Sequence, residues 1–303
     1  MWRHLITCLY TKQFMMDIEH ILNTQDELGE GPVWDAKRHV LYHVDWSNRR
    51  FFRYDPATGQ QETFEPGIAV GSLAPRSRGG LVLATKKGFA FWDFERSAIE
   101  YIVDPRADQP ESHFNDGKVD RQGRFWAGTN SNIGQPTGAL YCLTPDLSVK
   151  KMESGITISN GIGWSPDNKT MYYTDSPKRV IYAYDFDPVT GETANRRHFA
   201  YTPDAVYEPD GLTVDSEGFI WSARWGGWCV ARYDPDGKVE REIKMPVEFT
   251  SSCNFGGANL DELYVTSARV PLSEAQRAQR PLDGGLFRIH VGIKGLPEPE
   301  FLG

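Results

Sequence analysis

Four polar side chains stand in similar surroundings along this sequence, each one or two residues before a glycine. They are Glu30 in LGEGPVWD, Asn115 in HFNDGKVD, Asn160 in SNGIGWSPD and Asp210 in EPDGLTVD. Each precedes a turn-forming Asp or Pro by about five residues. Carboxylate and amide oxygens are the ligands that hard divalent cations such as Ca²⁺, Mg²⁺ and Mn²⁺ prefer. If the fold brings these side chains together, they predict one metal site with positions left for water and substrate.

Each of these residues also has a simpler explanation. Asn-Gly and Asp-Gly are favoured turn dipeptides, and a Glu before Gly-Pro is typical of a solvated loop. The metal site therefore depends on an architecture that brings distant segments of the chain to one place.

A repeated phrase supplies that architecture. An apolar entry, a polar turn and an alternating strand recur six times, with starts 40, 45, 45, 50 and 40 residues apart, in segments 33–45, 73–85, 118–129, 163–175, 213–224 and 253–267. A second phrase, a strand that runs into a D-P turn with glycine, follows at 52–59, 182–191 and 231–237. Four strands in about 45 residues are typical of a propeller blade. The repeat predicts an all-β, six-bladed β-propeller with four-stranded antiparallel blades, with a β-sandwich as the alternative.

In a propeller the innermost strand of each blade lines the central channel, so equivalent positions in different blades converge on the axis. The four polar residues hold equivalent positions in the first, third, fourth and fifth repeats. We therefore expect them at one end of the channel. Trp225, Trp228 and Asn130 are candidates for the wall of the adjoining pocket, although packing inside a blade is the commoner role of Trp.

Composition excludes several other classes of protein. A net charge of −8 and the lack of a basic run argue against nucleic acid as a partner, and no apolar stretch approaches the roughly 20 residues that span a bilayer. The four cysteines form no CxxC pair, which predicts reduced, mostly buried thiols and a cytoplasmic location. The sequence contains no GxSxG, HExxH or Walker motif.

The predicted domain organisation is simple. Residues 1–15 read as a disordered extension or a wrongly assigned start, and residues 16–303 as a single propeller domain. Segments 104–113 and 271–283, which are polar and carry Pro, are expected to be the long loops, with a short helical turn in SEAQRAQRP.

The motifs LGEGPVW, FNDGKVD followed by GRFWAGT, SNGIGWSPD and PDGLTVD together resemble the senescence-marker-protein (regucalcin)/gluconolactonase family. The resemblance runs from about Ile18 to Ile289. Within the family, RWGGW (224–228) and the TSAR segment with its following GG-containing strand are similar to the bacterial sugar-acid lactonases such as xylonolactonase. The resemblance implies a six-bladed propeller that binds one divalent cation, which is Ca, Zn, Mn, Mg or Fe.

The resemblance also implies roles for individual residues. Glu30, Asn160 and Asp210 would bind the metal, Asn115 would contact substrate or a metal-bound water, and Asp210 would also act as the general base. One position departs from the family pattern, because His113 stands where many relatives have an Arg that contacts substrate hydroxyls. A His is shorter and only partly charged near neutral pH, so its effect on substrate preference is open.

These expectations define a function. The metal would polarise the carbonyl of a sugar-acid lactone, such as xylono- or gluconolactone, and water would open the ring. His113, Asn115 and Asn130 would bind the small-molecule lactone, and the protein would be a monomer or a weak homo-oligomer. The alternatives are a metal-dependent phosphoesterase or organophosphate hydrolase and a non-catalytic calcium-binding propeller, because fold alone does not determine function.

Overall fold

The computed structural model describes residues 17–106, 109, 111–131 and 134–303, which form six four-stranded antiparallel sheets. Strands are numbered along the chain, and in five of the blades chain order runs from the innermost strand outwards. The first blade contains β2 Gly29–Asp35, β3 Val40–Asp45, β4 Arg50–Asp55 and β5 Gln60–Phe64. The second contains β6 Val70–Pro75, β7 Leu81–Thr85, β8 Gly88–Asp93 and β9 Ala98–Val103. The third contains β10 Ser112–Val119, β11 Phe125–Ser131, β12 Gly138–Leu143 and β13 Val149–Ile156.

The remaining blades follow the same order, and the last one closes the ring with the N-terminal strand. The fourth contains β14 Ser159–Trp164, β15 Thr170–Asp175, β16 Val180–Phe186 and β17 Thr193–Tyr201. The fifth contains β18 Glu208–Val214, β19 Ile220–Trp225, β20 Cys229–Tyr233 and β21 Val239–Lys244. The sixth contains β22 Thr250–Gly256, β23 Glu262–Ser267, β24 Leu286–His290 and, outermost, β1 Ile18–Leu22.

This architecture confirms the predicted all-β, six-bladed β-propeller. Innermost strands such as β6 and β14 are buried along their whole length, whereas the outermost β5 and β9 are largely exposed. The apolar side chains of neighbouring blades pack against each other in clusters that hold the blades together. Each repeated phrase therefore corresponds to the end of an innermost strand, the following turn and the second strand of one blade.

The Asn-Gly and Asp-Gly dipeptides of the candidate site, Asn160-Gly161 and Asp210-Gly211, do not form turns, so that simpler explanation is wrong for them. They lie within innermost strands, where glycine is needed because the next blade comes very close. A Cβ on Gly161 would lie 2.5 Å from the backbone nitrogen of Leu212, and one on Gly211 would lie 2.0 Å from Ser252 Oγ. At this level the pairing of all six innermost strands with their neighbours shifts register. Such bulges redirect side chains, here at the end of the channel that holds the predicted ligands.

The opposite end of the channel is crossed by the C-terminal residues 294–303, which we call the tail. Backbone hydrogen bonds join Ser216 to Lys294, Phe301 to Pro75 and Leu302 to Gly123, at 2.8–3.1 Å. These partners lie in or beside the turns that follow innermost strands of the fifth, second and third blades. We call this end the tail face and the other, where the innermost strands begin, the entrance face.

Several smaller predictions can be compared with the structure. The short helix α1 Glu274–Gln279 forms in the expected segment and begins with a capping box at Ser273. Cys142, Cys229 and Cys253 are buried free thiols, as expected, while Cys8 and the predicted extension at 1–15 lie outside the described residues. Over the residues that are described, no helix has the length and apolar character needed to cross a membrane.

Candidate metal and substrate site

A cavity of about 230 Å³ opens at the entrance face and collects most of the predicted site residues. Its walls come from blades on several sides of the channel, and five of the six predicted site residues contribute to them. The residues that line it are Leu28, Glu30, Asn115, Asn130, Ile158, Asn160, Ser176, Glu208, Asp210 and Trp225. Glu30, Asn115, Asn160 and Asp210 thus share one site although they lie 45 to 180 residues apart in sequence, because each lies in the first half of an innermost strand.

The two predicted amide residues are held in defined orientations. Asn160 donates from Nδ2 to Ser176 Oγ at 2.8 Å, and that hydroxyl donates to the carbonyl of Pro209 at 2.6 Å. Asn115 donates from Nδ2 to Asn160 Oδ1 at 3.0 Å and to the carbonyl of Ser159 at 2.8 Å. Asn115 therefore has its amide oxygen left to accept hydrogen bonds, and Asn160 Oδ1, which accepts one hydrogen bond from Asn115, keeps a second lone pair that can bind a cation.

The carboxylates of Glu30 and Asp210 have no positively charged partner among the described residues that line the cavity. Glu30 is 7% exposed and Asp210 is 4% exposed, and Asp210 Oδ1 has no hydrogen-bond partner among the described residues. Burial and the nearby Asp116 carboxylate raise the pKa of Glu30 well above its usual range. Burial and the Glu30 charge do the same to the pKa of Asp210. Two buried carboxylates in such surroundings are costly to ionise without a cation.

A third carboxylate lies deeper in the channel. Burial raises the pKa of Asp116 to about 6, although the Gly117 backbone N–H and the Lys118 charge oppose the shift. Lys118 in turn forms an ion pair at 3.0 Å with Glu298 of the tail. The excess of negative charge is thus greatest at the entrance end of the channel.

These residues fit a hard divalent cation. Glu30 and Asp210 supply negative charge, Asn160 supplies a fixed amide oxygen, and the unpartnered Asp210 Oδ1 is the kind of buried polar atom that a cation would satisfy. Among the residues with described positions, no three His, Cys, Asp or Glu side chains form a group able to hold a metal ion. The donor set is therefore mixed, two carboxylates and an amide, and it lacks the soft ligands of a thiolate or polyhistidine site.

Of the other predicted substrate-binding residues, one lines the cavity and one does not. Asn130 lines the cavity, and its Oδ1 is buried without a hydrogen-bond partner among the described residues. His113 lies on β10, its ring centroid 4.7 Å from that of Trp46 with the two rings tilted, and it is not among the residues that line the cavity. Trp225 lines the cavity with its ring against Phe249, whereas Trp228 is partly exposed and stacks with Arg280.

Sequence reasoning missed two polar contributors. Ser176 orients Asn160, and Glu208 adds a further carboxylate to the wall. A signal for Glu208 was present, because it stands two residues before Asp210 in the same strand and alternate residues of a strand point to the same side. Ser176 offered no such signal, since it follows a second strand rather than an innermost one.

Comparison with known proteins identifies the family of this chain and agrees with its fold. Residues 28–269 match the model of the "SMP-30/Gluconolactonase/LRE-like region". Regucalcin from Xenopus laevis is 38% identical over 294 residues, which cover 94% of this chain and 98% of that protein. A luciferin-regenerating enzyme superimposes with a TM-score of 0.88 at 33% identity over 94% of this chain and 99% of its own. A calcium-binding regucalcin from Agrobacterium tumefaciens gives 0.91 at 27% identity over 94% and 97%. The chain therefore belongs to the SMP-30/gluconolactonase/LRE-like family.

Proposed function

We propose that this protein hydrolyses a sugar-acid lactone to the open-chain acid with the help of one divalent cation. The observation that carries the proposal is the meeting of Glu30, Asn160 and Asp210 in one entrance-face cavity, whose described lining residues include no Lys, Arg or His. Membership in a family whose description includes gluconolactonase supports the reaction class. A relative described as calcium-binding supports a divalent cation.

Glu30, Asn160 and Asp210 would hold the cation. When bound, it supplies positive charge that polarises the lactone carbonyl and stabilises the oxyanion of the tetrahedral transition state. Ser176 keeps the Asn160 oxygen directed at the site, because it receives the Nδ2 hydrogen bond. Asn115 lies beside Asn160, where its remaining oxygen can bind water or a substrate hydroxyl.

Ring opening requires one water and two proton movements. The water oxygen bonds to the carbonyl carbon and loses a proton, the ring C–O bond breaks, and the ring oxygen takes up a proton. Asp210 Oδ1 is the acceptor that the cavity offers to the attacking water, since it has no other partner among the described residues. A carboxylate that binds a cation is a weak base, so the ligand role of Asp210 is the one that the tests below address.

Xylono- and gluconolactone are the proposed substrates. Asn115 and Asn130 present amide groups to sugar hydroxyls, and the Trp225 ring offers an apolar wall for the C–H face of the sugar. A cavity of about 230 Å³ suits a single small ring, close to the lower limit of small-molecule pockets.

The test is metal-dependent hydrolysis. Protein treated with EDTA is mixed with D-xylono- or D-gluconolactone, and acid release is followed with a pH indicator as Ca²⁺, Mg²⁺, Mn²⁺, Zn²⁺ or Fe²⁺ is added. We expect at least one cation to restore hydrolysis well above the spontaneous rate. A folded protein that accelerates neither lactone with any cation would contradict the proposal. Cleavage of a phosphoester instead would identify the phosphoesterase alternative, and cation binding without turnover the non-catalytic one.

A further inference from the structure

Glu208 is the one carboxylate of the cavity that the proposed cation site does not use. It begins β18, two residues before Asp210, and lines the same cavity. Its side chain is half-buried and has no hydrogen bond to any described residue. Its carboxylate oxygens can therefore accept hydrogen bonds from a molecule in the cavity.

The charge of the cavity walls restricts what that molecule can be. Glu30, Glu208 and Asp210 are the only ionisable side chains among the described residues that line it. A divalent cation held by Glu30 and Asp210 would balance those two carboxylates and leave Glu208 without a counter-charge inside the cavity. Arg179, the positive charge that acts on Glu208, lies outside the set of lining residues.

The neighbour of Glu208 across the sheet completes a surface suited to a sugar. Glu208 is paired with Trp225 in the register of β18 and β19, and both residues line the cavity. The Trp225 ring is fixed by the Phe249 ring at 5.1 Å. A carboxylate beside an indole face can bind a hydroxyl while the ring contacts C–H groups, and it repels an anion.

We propose that Glu208 is a specificity-determining residue that accepts a hydrogen bond from a hydroxyl of an uncharged lactone and disfavours lactones that carry a phosphate. The inference rests on the proposed function and adds the class of substrate, a neutral polyhydroxy lactone. Glu208 would also favour product release, because hydrolysis creates a carboxylate that the negative charge of Glu208 repels.

The kinetic test compares three substrates of different charge and hydroxyl content. Glu208→Ala should lower kcat/KM for D-gluconolactone at least tenfold more than for δ-valerolactone, which has no hydroxyl, because a hydrogen bond to a charged group is lost. Glu208→Gln should raise the rate on 6-phosphogluconolactone relative to gluconolactone. Glu95→Gln serves as the matched control, since Glu95 is exposed in a hairpin turn at the tail face. Equal losses on gluconolactone and δ-valerolactone, or no loss at all, would overturn the inference.

A binding measurement separates this inference from the proposed function. Xylitol carries the hydroxyls but cannot be hydrolysed, and its affinity for Ca²⁺-saturated protein is measured by calorimetry. We expect Glu208→Ala to weaken xylitol binding about tenfold and Glu95→Gln to leave it unchanged. If the wild type fails to bind xylitol, or Glu208→Ala binds it as tightly as the wild type, Glu208 does not recognise hydroxyls. A lack of lactone turnover alone would instead count against the proposed function.

Discussion

Two buried carboxylates at the tail face and two in the entrance-face cavity have opposite surroundings. At the tail face, Asp120 accepts hydrogen bonds from Arg124 Nε at 2.5 Å and from Trp126 Nε1 at 2.9 Å. Asp215 repeats the arrangement with Arg232 and Trp221, at 2.7–2.9 Å. Both carboxylates also accept backbone N–H groups of the turns that follow the innermost strands. Asp120 and Asp215 are thus fully hydrogen-bonded, and they hold the first turn of the third and the fifth blade in place.

In the entrance-face cavity, no Arg or Lys among the described lining residues lies beside the carboxylates of Glu30 and Asp210. Burial raises both pKa values, and a neighbouring carboxylate raises them further, that of Asp116 for Glu30 and that of Glu30 for Asp210. Such an arrangement costs folding free energy unless a cation binds, and functional sites are where proteins accept that cost. The difference between these paired and unpaired acids therefore indicates which acids serve the fold and which serve a ligand.

The strongest test of this comparison changes two acids that lie at opposite ends of the channel, Asp210 and Asp215, in separate variants. Asp210→Asn should lower lactonase activity at least about a hundredfold and weaken cation binding, because it removes a charged ligand. It should not lower the unfolding temperature in EDTA, since the amide removes repulsion with Glu30. Indicator assays and thermal unfolding measure the two effects. Full activity without added metal would refute the assigned role.

Asp215→Asn is the companion change, five residues further along. Arg232 would lose its strongest partner while its side chain stays almost fully buried, so we expect a loss of about 3 kcal/mol in unfolding free energy. Activity per folded molecule and cation affinity should be unchanged. Denaturant unfolding and activity assays check both points, and a selective loss of activity in the folded variant would contradict the distinction between the two ends.

The propeller could be predicted from the sequence because its repeat consists of local signals. Turn residues and alternating strands recur with every blade, and the turn acids Asp120 and Asp215 belong to that repeat. The convergence of Glu30, Asn160 and Asp210 followed from the repeat once the fold was assumed. The close approach of Gly161 and Gly211 to the next blade could not follow, because it depends on distances between blades.

Contacts made by loops also could not be predicted from the sequence. Ser176 contacts Asn160 only because the connection after β15 folds over the entrance. The His113 ring lies against the ring of Trp46, a residue 67 positions earlier, and no pattern in the sequence indicates that contact. The tail reads as a Pro-rich loop, and nothing in its composition shows that it crosses the channel. These pairings arise from tertiary packing, which no local pattern records.

A change in the tail tests whether the two ends are independent. Phe301 is fully buried among side chains that include Phe91, and its backbone joins the second blade. Phe301→Ala should cost about 3 kcal/mol of unfolding free energy, because it leaves a cavity. Cation affinity and kcat/KM should remain at wild-type values. Calorimetric cation titration checks this, and a weakened cation site would show that the tail also supports the entrance face.

A smaller effect is expected from the residue that orients the amide ligand. Ser176→Ala removes the acceptor for Asn160 Nδ2, so the amide loses its fixed direction. We expect cation affinity to fall about tenfold, as for other groups that position metal ligands, with little change in stability. Ser165→Ala is the matched control, because Ser165 Oγ bonds to Asp167 in a turn at the tail face. Equal cation affinities in both variants would contradict the positioning role.

The dependence of stability on pH should differ with and without a cation. The pKa values of Glu30 and Asp210 are raised, and that of Asp116 is raised to about 6. Groups with raised pKa values favour the folded state when they are protonated, and this contribution to stability is fully present near and below about pH 4. As the pH rises through the folded-state values, the unfolded chain releases these protons more readily than the native protein, so stability falls. In EDTA we expect these three carboxyl groups to lower the unfolding temperature by about 2 °C or more between pH 5 and 7. Saturating Ca²⁺ should remove the drop, and Glu30→Gln should reduce it in EDTA. An identical pH profile with and without Ca²⁺ would mean that the entrance carboxylates do not bind this cation.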